Sequence, residues 1–179
     1  MDSSRIILSQ PQFNLVIERL CHELIETYDD FRDTCMVSIQ PRGTPLADRI
    51  YKRLSELGVP AFPYGKLDIT FYRDDFRRGK PLSASTTEMN LLVEDMKVIL
   101  VDDVLYTGRS VQAALTALNH YGRPAHVELL ALVDRRFNRH LPVQPDFAGI
   151  SIDALEEEYV KVVWGTDGDD EIILYPKKV

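Results

Sequence analysis

Two adjacent carboxylates, Asp102 and Asp103, follow an unbroken apolar run, Val98 to Val101, and precede the turn Tyr106-Thr107-Gly108-Arg109-Ser110. Residues of these types at this spacing offer two opposite kinds of recognition side by side. Gly108 lets the backbone approach a ligand closely, and Thr107 and Ser110 supply hydroxyls. A helix starting there presents amide N–H groups and the positive end of its dipole. Those donors suit a phosphate. The acid pair would repel a phosphate but accepts hydrogen bonds from sugar hydroxyls. A ribose 5-phosphate carries both groups. Taken alone, the segment is also compatible with a plain strand-to-helix turn in which Asp103 caps and Gly108 bends.

The surrounding pattern says what must position these residues. Ser9-Gln10-Pro11-Gln12 reads as a capping box with proline in the first turn. Apolar residues then recur at Phe13, Val16, Ile17, Leu20, Cys21, Leu24, Ile25 and Tyr28, the spacing of a helix with one buried face. Met36 to Ile39 is a short strand, broken by Pro41-Arg42-Gly43. Leu46, Ala47, Ile50, Leu54 and Leu57 mark a second helix closed by Gly58. Leu67 to Tyr72 alternates like a strand, and residues 73–90 lose all periodicity, as functional lids or disordered segments do. Val98 to Val101 is a buried strand, followed by a helix marked by Val111, Ala114, Leu115 and Leu118. Val127 to Val133, Tyr159 to Trp164 and Glu171 to Tyr175 complete the strands. Alternating strands and helices predict an α/β domain built on a mainly parallel sheet, with ligands beyond the carboxyl ends of its strands.

Composition narrows the function class. The chain has 179 residues, 45% of them hydrophobic and 27% charged, ordinary values for a globular domain. No apolar run approaches the ~20 residues of a membrane span. The amino terminus lacks the basic lead and long apolar core of a signal peptide, so a cytoplasmic protein without membrane association is expected. A net charge of −7 argues against non-specific coating of nucleic acid and leaves a local basic patch open. Cys21 and Cys35 have no metal-ligand spacing and read as buried reduced thiols. Neither GxxxxGK[ST] nor GxGxxG occurs, which disfavours nucleoside triphosphate hydrolysis and dinucleotide binding.

The thirteen residues VILVDDVLYTGRS resemble the motif by which type I phosphoribosyltransferases bind phosphoribosyl pyrophosphate (PRPP). The likeness extends to Ile39–Leu46 (IQPRGTPL), Leu67–Asp75 (LDITFYRDD), Gly122-Arg123-Pro124 and Leu132–Pro142 (LVDRRFNRHLP), and covers roughly residues 10 to 175. There it is similar to the PyrR family, uracil phosphoribosyltransferases that also regulate pyrimidine operons by binding their mRNA. The resemblance implies a single domain over residues 1–179, its core about 10–135 and a small hood from about 136–179 and the amino terminus. It implies uracil and PRPP as substrates, UMP and diphosphate as products, Mg²⁺ as cofactor, and a homo-oligomer, dimer or tetramer.

Matched position by position, Asp102 and Asp103 would hold the ribose 2′ and 3′ hydroxyls, and Thr107, Gly108, Arg109 and Ser110 the 5-phosphate. Arg42 and Gly43 would form the diphosphate loop. Arg73 and Asp74 would root a flexible loop closing over PRPP, and Asp134, Arg135 and Leu141 would belong to the hood over the base. Asp103, Arg42 and Arg73 are the catalytic candidates, Asp103 as the nearest base. Mg²⁺ would be carried chiefly by PRPP's own oxygens, with Asp102 and Asp103 as the protein's candidates. Arg77, Arg78 and Lys80 read as solvated charges. Arg19, His22, Arg136 and Arg139 are the candidate RNA contacts. Thr27 stands where the family has a basic residue, and Asp153, Glu156, Glu157 and Glu158 make the following segment acidic. Two other readings stand beside the enzyme: an RNA-binding attenuation regulator that uses the PRPP site only as a sensor, and a hypoxanthine or guanine phosphoribosyltransferase. Pro145 to Gly149 does not separate the lineages, whereas LDITFYRDD and VDRRFNRHLP favour uracil.

Overall fold

A computed structural model of the chain describes residues 4–73, 87–155, 157–166 and 169–176. Asp74, Arg77, Arg78, Lys80 and most of the stretch predicted as a lid lie outside the described residues, as does Glu156.

The elements run β1 (Arg5–Leu8), α1 (Gln10–Tyr28), β2 (Thr34–Gln40), α2 (Gly43–Glu56), β3 (Tyr64–Asp68), β4 (Lys97–Leu105), α3 (Arg109–Leu118), β5 (His126–Arg135), β6 (Phe147–Ile152), β7 (Tyr159–Val163) and β8 (Glu171–Tyr175). Five strands form a parallel sheet in the order β3-β2-β4-β5-β6. Alternate residues of its strands face opposite layers, as the pleat requires. Met36, Ile99, Val101, Leu130 and Leu132 pack with Phe13, Leu20, Leu24, Leu46, Ile50 and Leu54 of α1 and α2. Val37, Ile39, Val98, Leu100 and Ala131 pack with Val111, Ala114, Ala117 and Leu118 of α3. The sheet is thus apolar on both faces, as the near-continuous apolar runs in β2 and β4 require.

A second, antiparallel sheet, β1-β8-β7, forms the hood. Val160, Val162, Ile172 and Leu174 join the α1–α2 core, and Trp164 packs edge-on against Phe13 at 5.6 Å. Arg49 of α2 fixes the β7–β8 connection. Its Nε and Nη2 donate to the buried Asp170 at 2.5 and 2.6 Å, and its guanidinium lies 4.7 Å from the centre of the Trp164 ring. Arg136 pairs in the same two-pronged way with Asp153 at 2.7 Å, just beyond the paired ends of β5 and β6.

Three differences from the sequence reading stand out. Leu67–Tyr72 is not one strand: β3 ends at Asp68, whose Oδ1 accepts from Thr70 N at 2.9 Å and Thr70 Oγ1 at 2.6 Å. That side chain competes with the ladder and turns Thr70–Tyr72 into a short 3₁₀ helix. The sheet also continues past residue 135, since β6 pairs with β5 from Leu130↔Phe147 to Arg135↔Ile152. Finally, the short apolar stretch at the amino terminus, expected to contribute to the hood but not read as a strand, is a strand paired with β8.

Cys21 and Cys35 are both buried and unbridged, and burial pushes each thiol up to about 12. No described helix is long and apolar enough to cross a membrane.

Candidate active site

A cleft of about 550 Å³ opens where the carboxyl ends of β2 and β4 meet the start of β7. Parallel sheets gather their ligands at this edge because loops leave all the strands on the same side. β4 carries the acid pair into it. The strand continues through Leu105 instead of ending at Val101, with Asp102 opposite Ala131 and Val104 opposite Val133. Asp102 and Asp103 are therefore buried, 6% and 7% exposed. Local amides hold them: Asp103 N donates to Asp102 Oδ1 at 3.0 Å, and Val104 N to Asp103 Oδ1 at 2.8 Å. Burial raises both carboxyls above the usual range, and for Asp102 the charge of its neighbour adds to the effect. The positive charge of Arg42 opposes the rise in both.

The turn after β4 places Gly108 at φ 91°, a left-handed conformation that glycine adopts without strain, at the N-cap of α3. Arg109 N leans on Thr107 Oγ1 at 3.4 Å, and Arg73 Nη1 donates to Ser110 Oγ at 3.1 Å. Arg42 lies at the N-cap of α2, and a Cβ on Gly43 would stand 2.4 Å from the Val101 carbonyl oxygen. That close approach seats the start of α2 directly on β4, beside the acids.

Arg42, Arg73, Asp102, Asp103, Thr107, Gly108, Arg109, Ser110 and Arg135 all line the cleft. Gly43 supports it from behind. Asp134 and Leu141 are not among the lining residues. Asp134 pairs closely with Arg139, and Leu141 packs against the Gly108 turn. The sequence reading missed Tyr106, over whose ring the Arg135 guanidinium stacks at 3.9 Å, and Tyr159 and Val160 at the edge of the hood. Tyr159 left a weak signal, an aromatic opening a strand next to an acidic run.

The donor set bears on metals. Among the described residues no group of three or more His, Cys, Asp or Glu could hold an ion. The hard oxygens of Asp102 and Asp103 do fit Mg²⁺, which keeps several waters and takes one or two carboxylates alongside phosphate oxygens.

The family described as a phosphoribosyl transferase domain matches residues 3–170. A bifunctional protein PyrR of Picosynechococcus sp. is 41% identical over 169 residues, 94% of this chain and 95% of that one. The chain belongs to the PyrR proteins of the phosphoribosyltransferase family. Another PyrR, from Microcystis aeruginosa, is 43% identical over 169 residues, covering 94% of this chain and 95% of its own. Among solved structures, a hypoxanthine phosphoribosyltransferase of Trypanosoma cruzi superposes with a TM-score of 0.71 over 97% of both chains. At 15% identity that likeness shows the fold. The fold is thus the type I phosphoribosyltransferase fold expected from the motif, a parallel sheet flanked by helices.

Of the four candidate RNA contacts, Arg19 bonds Glu23 and the carbonyls of Ala148 and Gly149, and His22 lies 3.2 Å from Glu18. Arg136 is committed to Asp153 and Arg139 to Asp134.

Proposed function

We propose that the protein is a uracil phosphoribosyltransferase, converting uracil and PRPP to UMP and diphosphate with Mg²⁺. One observation carries the reading: the acid pair, the glycine turn at the start of α3 and Arg42 converge on a single cleft, so hydroxyl acceptors, phosphate donors and a cation surround one ligand-sized space. Kinship with PyrR proteins favours uracil over a purine.

The geometry supports a simple division of labour. The 107–110 turn binds the 5-phosphate, and Asp102 and Asp103 accept from the ribose hydroxyls. The bond from C1 to the diphosphate oxygen breaks as the bond from C1 to uracil N1 forms. Negative charge grows on the leaving diphosphate, where Arg42 and Arg73 oppose it. Bound Mg²⁺ supplies further charge neutralisation to the same group. Asp103 is the nearest candidate to take the N1 proton, and burial, which raises its pKa, would make it a stronger base than an ordinary aspartate.

The assay is purified protein with PRPP, Mg²⁺ and, in turn, uracil, hypoxanthine, guanine and orotate. UMP should form from uracil alone. Faster IMP formation from hypoxanthine would overturn the base assignment. Within this reading Arg42→Ala should lower kcat/KM roughly 30-fold, the loss of one charge-assisted contact, while the melting temperature stays near wild type. Unchanged kinetics would remove Arg42 from the diphosphate site.

Kinship with bifunctional PyrR proteins favours a second role as a regulator that binds pyrimidine-operon mRNA. Arg19 and His22, half-exposed on α1, are the positions to test. Filter binding of a pyrimidine-operon leader RNA with and without UMP decides this role independently of the enzyme.

A further inference from the structure

The peptides of the phosphate turn are held from behind by a segment that lines no part of the cleft. Arg139 Nη1 donates to the Tyr106 carbonyl at 2.5 Å, and the amides of His140 and Leu141 converge on the Thr107 carbonyl at 3.0 and 3.2 Å. Arg139 is itself anchored by its close pair with Asp134, which stands opposite Leu105 at the end of β5. The two side chains are 18% and 14% exposed. Tyr106 to Val111 all line the cleft, whereas Asp134, Arg139, His140 and Leu141 do not.

Peptide planarity turns this bracing into a consequence for the ligand. In a trans peptide the carbonyl of one residue and the N–H of the next point in opposite directions. The only cis bond among the described residues is Gln40–Pro41, so both peptides of the turn are trans. Holding the Tyr106 and Thr107 carbonyls toward the 139–141 segment aims the amides of Thr107 and Gly108 the other way, into the cleft. Without the brace those peptides are free to rotate, and a carbonyl facing the cleft would repel a phosphate.

We propose that Arg139 and Asp134 are positioning residues for the 5-phosphate. They set the orientation of the Tyr106–Thr107 peptide through the Arg139–Tyr106 contact, beside the Thr107 carbonyl that the His140 and Leu141 amides hold. This role differs from the sequence-based expectation that Arg139 touches RNA and that Asp134 belongs to the hood over the base. It rests on the reading of the 107–110 turn as the phosphate site.

The test compares two ligands that differ only in the phosphate. UMP and uridine are titrated into the full-length protein, and the ratio of their dissociation constants is the readout. Arg139→Lys keeps the charge but replaces the planar fork that reaches Tyr106 and Asp134 together. It should reduce the wild-type preference for UMP by roughly tenfold or more, with uridine binding nearly unchanged. Asp134→Asn, which leaves Arg139 without its charged anchor, should act in the same direction by a smaller factor. Equal weakening of both ligands, or an unchanged ratio in both variants, overturns the proposal. A wild-type protein that does not prefer UMP to uridine overturns the phosphate-site reading itself, before any variant is compared.

Discussion

Asparagine in place of Asp102 will make the protein harder to melt at about pH 8 and nearly inactive. An aspartate in the unfolded chain titrates near 3.9. In the folded protein burial, and then the charge of Asp103, lift Asp102 well above that value. Between the two values the folded state holds a proton that the unfolded state has lost. Stability contributed by this group is therefore complete below the unfolded pKa and is lost as pH rises through the folded one. Asparagine cannot ionise, and it keeps the Oδ1 that accepts from Asp103 N at 3.0 Å. The melting temperature of Asp102→Asn should exceed that of wild type at about pH 8, and the gap should narrow as the pH is lowered toward 5. Activity moves the other way. Removing a preorganised charged group from a buried reacting centre costs on the order of 1,000-fold in rate, and here the amide would also turn a donor toward ribose hydroxyls. Thermal melts across this pH range, with PRPP kinetics on the same samples, check both halves. A variant that melts below wild type at about pH 8 would show that the acid pair is not held at a cost to the fold.

That conflict between stability and activity explains why the site was the most legible part of the chain. Two carboxylates at the end of an apolar run oppose burial, so they stand out against the pattern of a core strand. The sequence reading ended that strand at Val101, because the apolar run stops there. The sheet continues because β5 offers Ala131, Val133 and Asp134 as partners, and that pairing is non-local. β6 was missed for a related reason. Its sequence FAGISI contains alanine and glycine, weak strand formers, and its strand character comes from pairing with β5. β7 and β8 were found individually from their alternation. Their union with Arg5–Leu8 into a hood depends on residues more than 150 positions apart, such as Arg5↔Leu174, which no local pattern encodes.

Charge was least legible. A formal positive charge at Arg19, Arg136 or Arg139 looks the same in a sequence whether it faces solvent or an internal partner. Arg139 is the clearest case, since its guanidinium is held between Asp134 and the Tyr106 carbonyl. The acidic segment, read as a deterrent to RNA, contains the internal partner of Arg136 in Asp153. Part of its charge is thus taken up by an exposed pair that joins the ends of β5 and β6.

Gly43→Ala should be the most damaging single methyl in the site. Its Cβ would lie 2.4 Å from the Val101 oxygen, 3.1 Å from Asp102 Cα and 3.2 Å from the Val101 carbonyl carbon. All three are backbone atoms of the central strand, so no side chain can rotate out of the way. The start of α2 must lift off β4, which separates Arg42 from the acid pair and loosens the packing of Leu46, Ala47 and Ile50. Overpacking of this kind costs about 3 kcal/mol, with a larger loss of activity than Arg42→Ala because the loop and the acids are displaced together. Gly58→Ala provides the comparison. Gly58 sits at φ 89° with nothing within 4 Å of the added Cβ, so its substitution meets only the left-handed strain of about 1 kcal/mol. Urea unfolding of the two variants separates steric contact from backbone conformation. If Gly43→Ala is no less stable than Gly58→Ala, the close seating of α2 on β4 is not what holds the Arg42–Gly43 segment in place.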